Sequence, residues 1–475
     1  MKIKNKYLVL LLFVGLISNQ CQKSFLDTEP ADNIITTSFY KTQEDAELAV
    51  NSAYSPLRSA FDRMDDQLLE TATDNGIGGA EGSNAYGWSL YSDNNFVSHL
   101  WNDVYEGILY ANIAITKIPD IEMPESVKSK LLAEARFLRG FYYFTLVTNF
   151  GGVPLILEPR TAEDLEMPRE SVDNVVAQII SDLEYAQSNL PSVTAYRGTA
   201  DLGRATKGAA KGFLARTYLW IGDWAKCAQL TSEIISSNEY ELMTDYGDNY
   251  LLANDNNMES LFEVQFQTGV PESVSSSYSC YMSPRGNSRT DCGYGHLEVR
   301  QELIDAYEEG DLRRKVTIFM EGDDFFGVPY DYTLSGTGAN PAKWIFSKEV
   351  VTQASGSPSN QQLMRYAEVL LNNAEANFML NEKDDALWAI NEVRDRAGLD
   401  DLSIEQLTLE AIIHERRIEL AFEGGHRLFD LRRLGIAEAV LTELGHTYDD
   451  DIHNVFPIPL SELDANPAVE QNPGY

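Results

Sequence analysis

Leu363, Tyr366, Ala367, Leu370, Leu371, Ala374 and Phe378 fall at i, i+3, i+4, i+7, i+8, i+11 and i+15, a single apolar stripe along a helix. Comparable stripes run through 43–60, 100–118, 126–149, 171–189, 204–221, 224–236, 383–396 and 406–423. A chain in which this period recurs over most of its length has to bury helix against helix, so the expected class is mainly α. Short runs suited to strands, Leu261–Phe266 and Trp344–Phe346, predict only minor β.

Two segments share a further pattern. Leu214, Ala215, Tyr218, Gly222-Asp223-Trp224 and Ala228 form one, and Ala374, Ala376, Asn381 and Ala386 the other. Small residues where paired helices cross, with an aromatic wedged between, give approximately tetratricopeptide spacing and let neighbouring hairpins bury a continuous core. Ordinary antiparallel hairpins would give the same pattern.

The helical texture breaks twice, over 71–97 and over about 240–360, where Gly, Ser, Asn, Asp and aromatics dominate. Loops this long within a compact protein either serve function or are disordered, and their aromatic content argues against disorder. Function is expected there.

Lys2, Lys4 and Lys6 precede an apolar run from Tyr7 to Ile17, the layout of an export signal and too short to span a bilayer. Ser18, Asn19 and Gln20 lead into Cys21. A cysteine at the cleavage point is where bacterial lipoproteins are acylated, so residues 1–20 are expected to be removed and Cys21 to be the membrane tether. A plain secretory signal followed by an incidental cysteine is the alternative, and the large Gln20 favours it.

The charge of the remainder narrows the partners. The 37 Lys and Arg less the three signal lysines, against 73 Asp and Glu, leave a formal charge of −39. Such a surface repels nucleic acid and anionic membranes, and a neutral glycan or peptide suits it better than a phosphorylated ligand. Cys280 and Cys292 lie twelve apart in the loop-rich stretch and could staple one loop in an oxidising compartment, while Cys227 reads as a small buried hydrophobe.

Catalytic signatures do not assemble. The run HERRI at 414–418 has isoleucine where the second ligand of a zinc helix must stand, and GRATKGAA at 203–210 lacks the spacing of a phosphate-cradling loop. The six histidines, 99, 296, 414, 426, 446 and 453, have no ligand spacing, and no calcium-loop pattern occurs. No enzyme, cofactor or metal is expected. A glycosidase would need two carboxylates facing each other across a cleft.

Several phrases are more specific: AEARFLRGFYYF at 133–144, NFGGVPL at 149–155, GRATKGAA at 203–210, RYAEVLL at 365–371, NEVRDRAG at 391–398, ERRIEL at 415–420, HRLFDL at 426–431, FPIP at 456–459 and QNPGY at 471–475, with Phe25-Leu26-Asp27 just after the cysteine. In order and content they resemble the SusD/RagB family over the whole chain from Cys21. The resemblance implies a single domain over 21–475, a right-handed superhelix of tetratricopeptide-like hairpins with a packed loop-rich region. It also implies a lipid-anchored protein on the outer face of the outer membrane, holding oligosaccharide as a lid on a SusC-like TonB-dependent transporter. RagB-like members serve peptide uptake instead. The arginines of these blocks, Arg136, Arg139, Arg416 and Arg417, are expected to pair with glutamates beside them at helical spacing, and Gly151-Gly152 to end the preceding helix.

A glycan site needs exposed aromatic platforms beside short polar side chains and a charged group. The first loop offers Tyr86, Trp88, Tyr91 and Asn94, with Trp88 the leading candidate because Gly87 and Ser89 flank it. The second offers Tyr281, Arg285 and Tyr294, with Tyr278 and Arg289 nearby. Phe325, Phe326, Tyr330 and Tyr332 rank lower, and for each aromatic the competing role is to pack its loop onto the scaffold. Trp101, Trp220, Trp224 and Trp388 lie on helical stripes and read as structural.

Overall fold

The structure is a computed structural model that describes residues 39–62, 69–78, 88, 90–160, 166–267, 275–290, 292–351 and 356–475. The signal segment, Cys21, Phe25-Leu26-Asp27 and Tyr86 lie outside the described residues.

The helical stripes fold into a run of antiparallel hairpins. Helices α1 (Gln43–Tyr54), α2 (Pro56–Phe61), α3 (Asn95–Lys117), α4 (Glu125–Phe150), α5 (Val172–Asn189), α6 (Lys207–Ile221) and α7 (Trp224–Ser237) come first. After the loop-rich block follow α8 (Tyr366–Met379), α9 (Lys383–Arg396), α10 (Leu409–Glu419) and α11 (His426–Arg433). From α3 to α7 each helix packs on the one before it, and α8 packs directly on α7 although more than a hundred residues separate them in sequence. The block between is therefore an insertion into a continuous helical stack.

Local chemistry sets the helix ends. Thr42, Ser171, Thr206 and Asp223 each turn a side-chain oxygen onto the first-turn amides of α1, α5, α6 and α7, where no intrahelical acceptor exists. Gly151 ends α4 at φ +74, as the Gly-Gly-Val-Pro run predicts. The tight turns of the two repeat-like hairpins pass through left-handed Gly222 and Asn381.

The inserted block carries its own apolar core, built from Tyr246, Tyr278, Leu297, Ile318, Phe325 and Trp344, onto which Ile418 and Phe422 of the scaffold pack. Strands are few and antiparallel: β1 (Gly76–Gly78) with β3 (Leu297–Val299), β2 (Ser260–Val264) with β6 (Gln361–Arg365), and β4 (Ile318–Phe319) with β5 (Asn340–Pro341). β1 brings residues 76–78 of the first loop-rich stretch onto the insertion, so the two stretches meet there.

A buried ion network joins insertion to scaffold. Arg365, at the end of β6, meets Glu259 at 2.6 Å, Glu423 at 2.7 Å and Glu419. Arg313 bridges Asp311, Glu415 and Glu419, and Lys343 reaches Glu423 at 2.6 Å. Burial alone would raise the pKa of Glu419, but Arg396, Arg365 and Arg313 overcome it and hold the carboxyl well below the usual range.

The arginine pairs differ from the sequence expectation. Arg139 grips Asp182 of α5 through two 2.8 Å bonds, Arg416 pairs with Asp430 of α11, and Arg417 reaches Asp74 and Asn75 of the loop before β1. Arg136 comes within 3.9 Å of Asp182. The partners are aspartates on other elements rather than neighbouring glutamates, because side chains that face the core meet the opposing helix before they meet their own.

Candidate functional site

The inserted block presents one built aromatic surface. A short helix at Tyr278–Met282 leads into a loop closed by the Cys280–Cys292 disulfide, Cα atoms 5.2 Å apart. Beyond it the backbone returns along the helix: the Tyr294 amide donates to the Cys280 carbonyl, Gly295 to Ser283 and His296 to Tyr281. Gly293 packs so closely on the Pro284 carbonyl that a Cβ would stand 2.2 Å from its oxygen. Only glycine permits this approach.

The closure stacks Tyr281 on Tyr294, centroids 5.0 Å apart and planes 28° from parallel, with His296 tilted at 4.8 Å from Tyr281. Tyr294 is 41% exposed. Arg285 stands exposed on the same loop, and Arg289 is tied inward, donating to the Phe326 carbonyl. The result is a stacked aromatic cluster whose most exposed ring is Tyr294, with an exposed arginine on the same loop, suited to the apolar C–H face and equatorial hydroxyls of a sugar.

The first loop turns out otherwise. Trp88 is 3% exposed, its indole N–H donates to the Ala72 carbonyl at 3.2 Å, and Tyr448, Phe456 and the Arg432 guanidinium pack around it. It anchors its loop: the positive φ of 60° turns the side chain into the C-terminal segment. Asn94 is also buried and is the N-cap of α3, accepting from the Phe96 and Val97 amides. Tyr91 is 69% exposed.

Of the lower-ranked group, Phe325 and Tyr330 are core, the latter bonded to Asn340 at 2.6 Å, while Tyr332 stands in solvent. Trp101 is buried as its stripe requires, whereas Trp388 is 44% exposed, two positions off the Ala386, Ala389, Ile390 and Val393 stripe of α9. No group of three or more metal-binding side chains occurs among the described residues.

Two family models match this chain, one described as the SusD family over residues 258–475 and one described as starch-binding associating with outer membrane over residues 24–219. The chain belongs to the SusD/RagB family. A SusD-like protein of Bacteroides ovatus is 29% identical over 464 residues, covering 88% of this chain and 81% of its own. The starch-binding protein SusD of Bacteroides thetaiotaomicron is 26% identical over 410 residues and 72% of each chain. Among solved structures, a laminarin-binding SusD-like protein superposes with a TM-score of 0.81 at 28% identity, over 92% of this chain and 100% of its own. Surface glycan-binding protein A from Bacteroides fluxus gives 0.79 at 28% identity, over the same shares.

In this SusD/RagB chain the aromatic wall holds one residue that sequence reasoning passed over. His296 alternates with Tyr294 along the strand-like return, and that period of two was the available signal. No helix of the described residues is long and apolar enough to cross a membrane.

Proposed function

We propose that the chain is a non-catalytic glycan-binding lipoprotein, tethered through Cys21 to the outer face of the outer membrane, that captures oligosaccharide and passes it to a SusC-like TonB-dependent transporter. The Tyr281–Tyr294 stack with His296 is the observation that carries the binding half of this reading, because an exposed ring backed by a second ring can take the apolar face of a sugar without a deep apolar cavity. The starch and laminarin named for two relatives place those proteins in the same ligand class. The tether and partner rest on the signal layout and the family resemblance, with residues 1–20 as the cleaved signal and 21–475 as one SusD-like domain.

Calorimetric titration with malto- and laminari-oligosaccharides tests the first half. Binding that is lost in the Tyr281→Ala/Tyr294→Ala variant with the melting temperature retained supports it. A wild-type protein that ignores oligosaccharides and binds extended peptides instead would put it with the RagB-like peptide importers. For the second half, Cys21→Ser should release the protein from membranes, and a transporter should co-purify after gentle solubilisation.

A further inference from the structure

A second cavity, of about 240 Å³, opens between α1 and α2, the turn at Leu202–Arg204 and the end of β2. It shares no residue with the tyrosine wall. Its polar lining is Asn51, Tyr54, Arg58, Arg204, Glu263 and Gln265.

These walls are fixed before any ligand arrives. Gln265 and Asn256 exchange amide hydrogen bonds at 2.8 and 2.9 Å, and Asn360 donates to Gln265 at 3.0 Å. Arg204 donates to Asn51 and to Glu134, each at 2.8 Å. Gly203 sits at φ +100 so close to Gln265 that a Cβ would stand 2.6 Å from its amide carbon, which keeps the turn flush against the cavity edge.

Glu263 and Arg58 are among the lining groups left with unused capacity. Glu263 is 2% exposed; its Oε2 accepts from the Asn256 amide and the Asn360 side chain at 2.9 Å, but its Oε1 accepts nothing. Burial raises the pKa of this carboxyl, opposed by hydrogen bonds from the Asn360 and Ser260 side chains, the Asn256 amide and the Gln362 side chain. Arg58 likewise has a buried Nε that donates to nothing, while its Nη2 reaches Ser55 at 3.3 Å. Buried polar atoms without partners cost stability, so a site that retains them is poised to satisfy them.

The mixed signs select the ligand. An anion would face Glu263 and the nearby Glu134, and a cation would face Arg58 and Arg204. A neutral ring bearing hydroxyls both accepts and donates, and Tyr54, Leu57 and Val264 supply apolar surface for its C–H face. The volume lies below the roughly 300–1,000 Å³ of drug-sized sites, which suits one ring rather than a chain. We propose that this cavity is a second carbohydrate site taking a single neutral sugar ring, with Glu263 accepting from its hydroxyls and Arg58 donating to them.

Saturation-transfer NMR and calorimetry with glucose, galactose and N-acetylglucosamine on the purified protein test this. At least one should bind. Arg58→Met and Glu263→Gln should each weaken that binding about tenfold with the melting temperature recorded alongside, the loss of one charged hydrogen bond. Arg58 is half-buried and bonds to one serine, so its variant keeps the test sound if Glu263→Gln disturbs β2. Tyr281→Ala/Tyr294→Ala should leave monosaccharide binding intact. The proposal is overturned if none of the three sugars binds, if Arg58→Met binds as tightly as wild type, or if the tyrosine variant abolishes the signal. A wild-type protein that binds a monosaccharide but no oligosaccharide would count against the proposed function and leave this site standing.

Discussion

Tyr281 and Tyr294 are stacked 5.0 Å apart because Cys280 and Cys292, their near neighbours in sequence, are joined to each other. The stack's geometry is thus set by a cross-link and three backbone hydrogen bonds, with Tyr281 also packed against the insertion's core. Removing the exposed Tyr294 ring should cost ligand affinity and little stability. For Tyr294→Ala we expect a loss of about 1–3 kcal/mol in oligosaccharide binding, by analogy with stacked bases, and a melting temperature within a degree or two of wild type. Calorimetry paired with a thermal melt reads both.

Opening the cross-link should act locally. In the Cys280→Ser/Cys292→Ser variant the amides of Tyr294, Gly295 and His296 should exchange with deuterium markedly faster while those of α4 and α8 stay protected. Oligosaccharide affinity should fall several-fold. Uniform protection across the loop would mean that the backbone bonds alone hold the wall.

Trp88→Ala should behave in the opposite sense to Tyr294→Ala. A buried tryptophan packed by Tyr448 and Phe456 leaves a large void when truncated, costing about 3–5 kcal/mol of stability. Oligosaccharide affinity, measured well below the melting transition, should be unchanged.

Arg365→Met should be among the most destabilising single changes, about 3–5 kcal/mol in chemical denaturation, because Glu259, Glu419 and Glu423 would each lose a buried partner. The loss should shrink as pH is lowered through the ordinary carboxylate range, since the carboxyls left behind can then take up protons.

Glu70 supplies a pH signature of its own. Burial, opposed by the Asn75 side chain and Lys343, raises its pKa from 4.5 to about 7, and its Oε1 has no hydrogen-bond partner. A folded-state pKa above the unfolded one means that its contribution is fully present below about pH 4.5 and is lost as pH rises through 7. Glu70→Gln should therefore leave stability near pH 4 unchanged and raise it above pH 7 by on the order of 3 kcal/mol. Equal melting temperatures for the two proteins at pH 8 would refute this.

The helical stack was legible because a stripe such as Leu363 to Phe378 is a local pattern, and local pattern is what dictates a helix. The 240–360 insertion was legible as a change of texture, and the tyrosine wall because its residues crowd one short loop with paired cysteines. Trp88 was misread for the same local reason: glycine and serine beside it say nothing about Tyr448 and Phe456, more than 350 residues away, which bury it. Asn94 was read as a ligand contact when the stripe beginning just after it marked it as a helix cap. The second cavity, assembled from Arg58, Gly203 and Glu263, left no sequence signal because its walls come from three distant segments.

Arg365 also has a mechanical consequence. It ends the strand β6, is clamped by three carboxylates, and is followed by Tyr366, the first residue of α8. Between the insertion and the helical stack there is consequently no slack residue to serve as a hinge at this joint. A rotation of the helical stack would carry the Tyr281–Tyr294 stack round with it as a rigid arm, the two moving as one body at this joint.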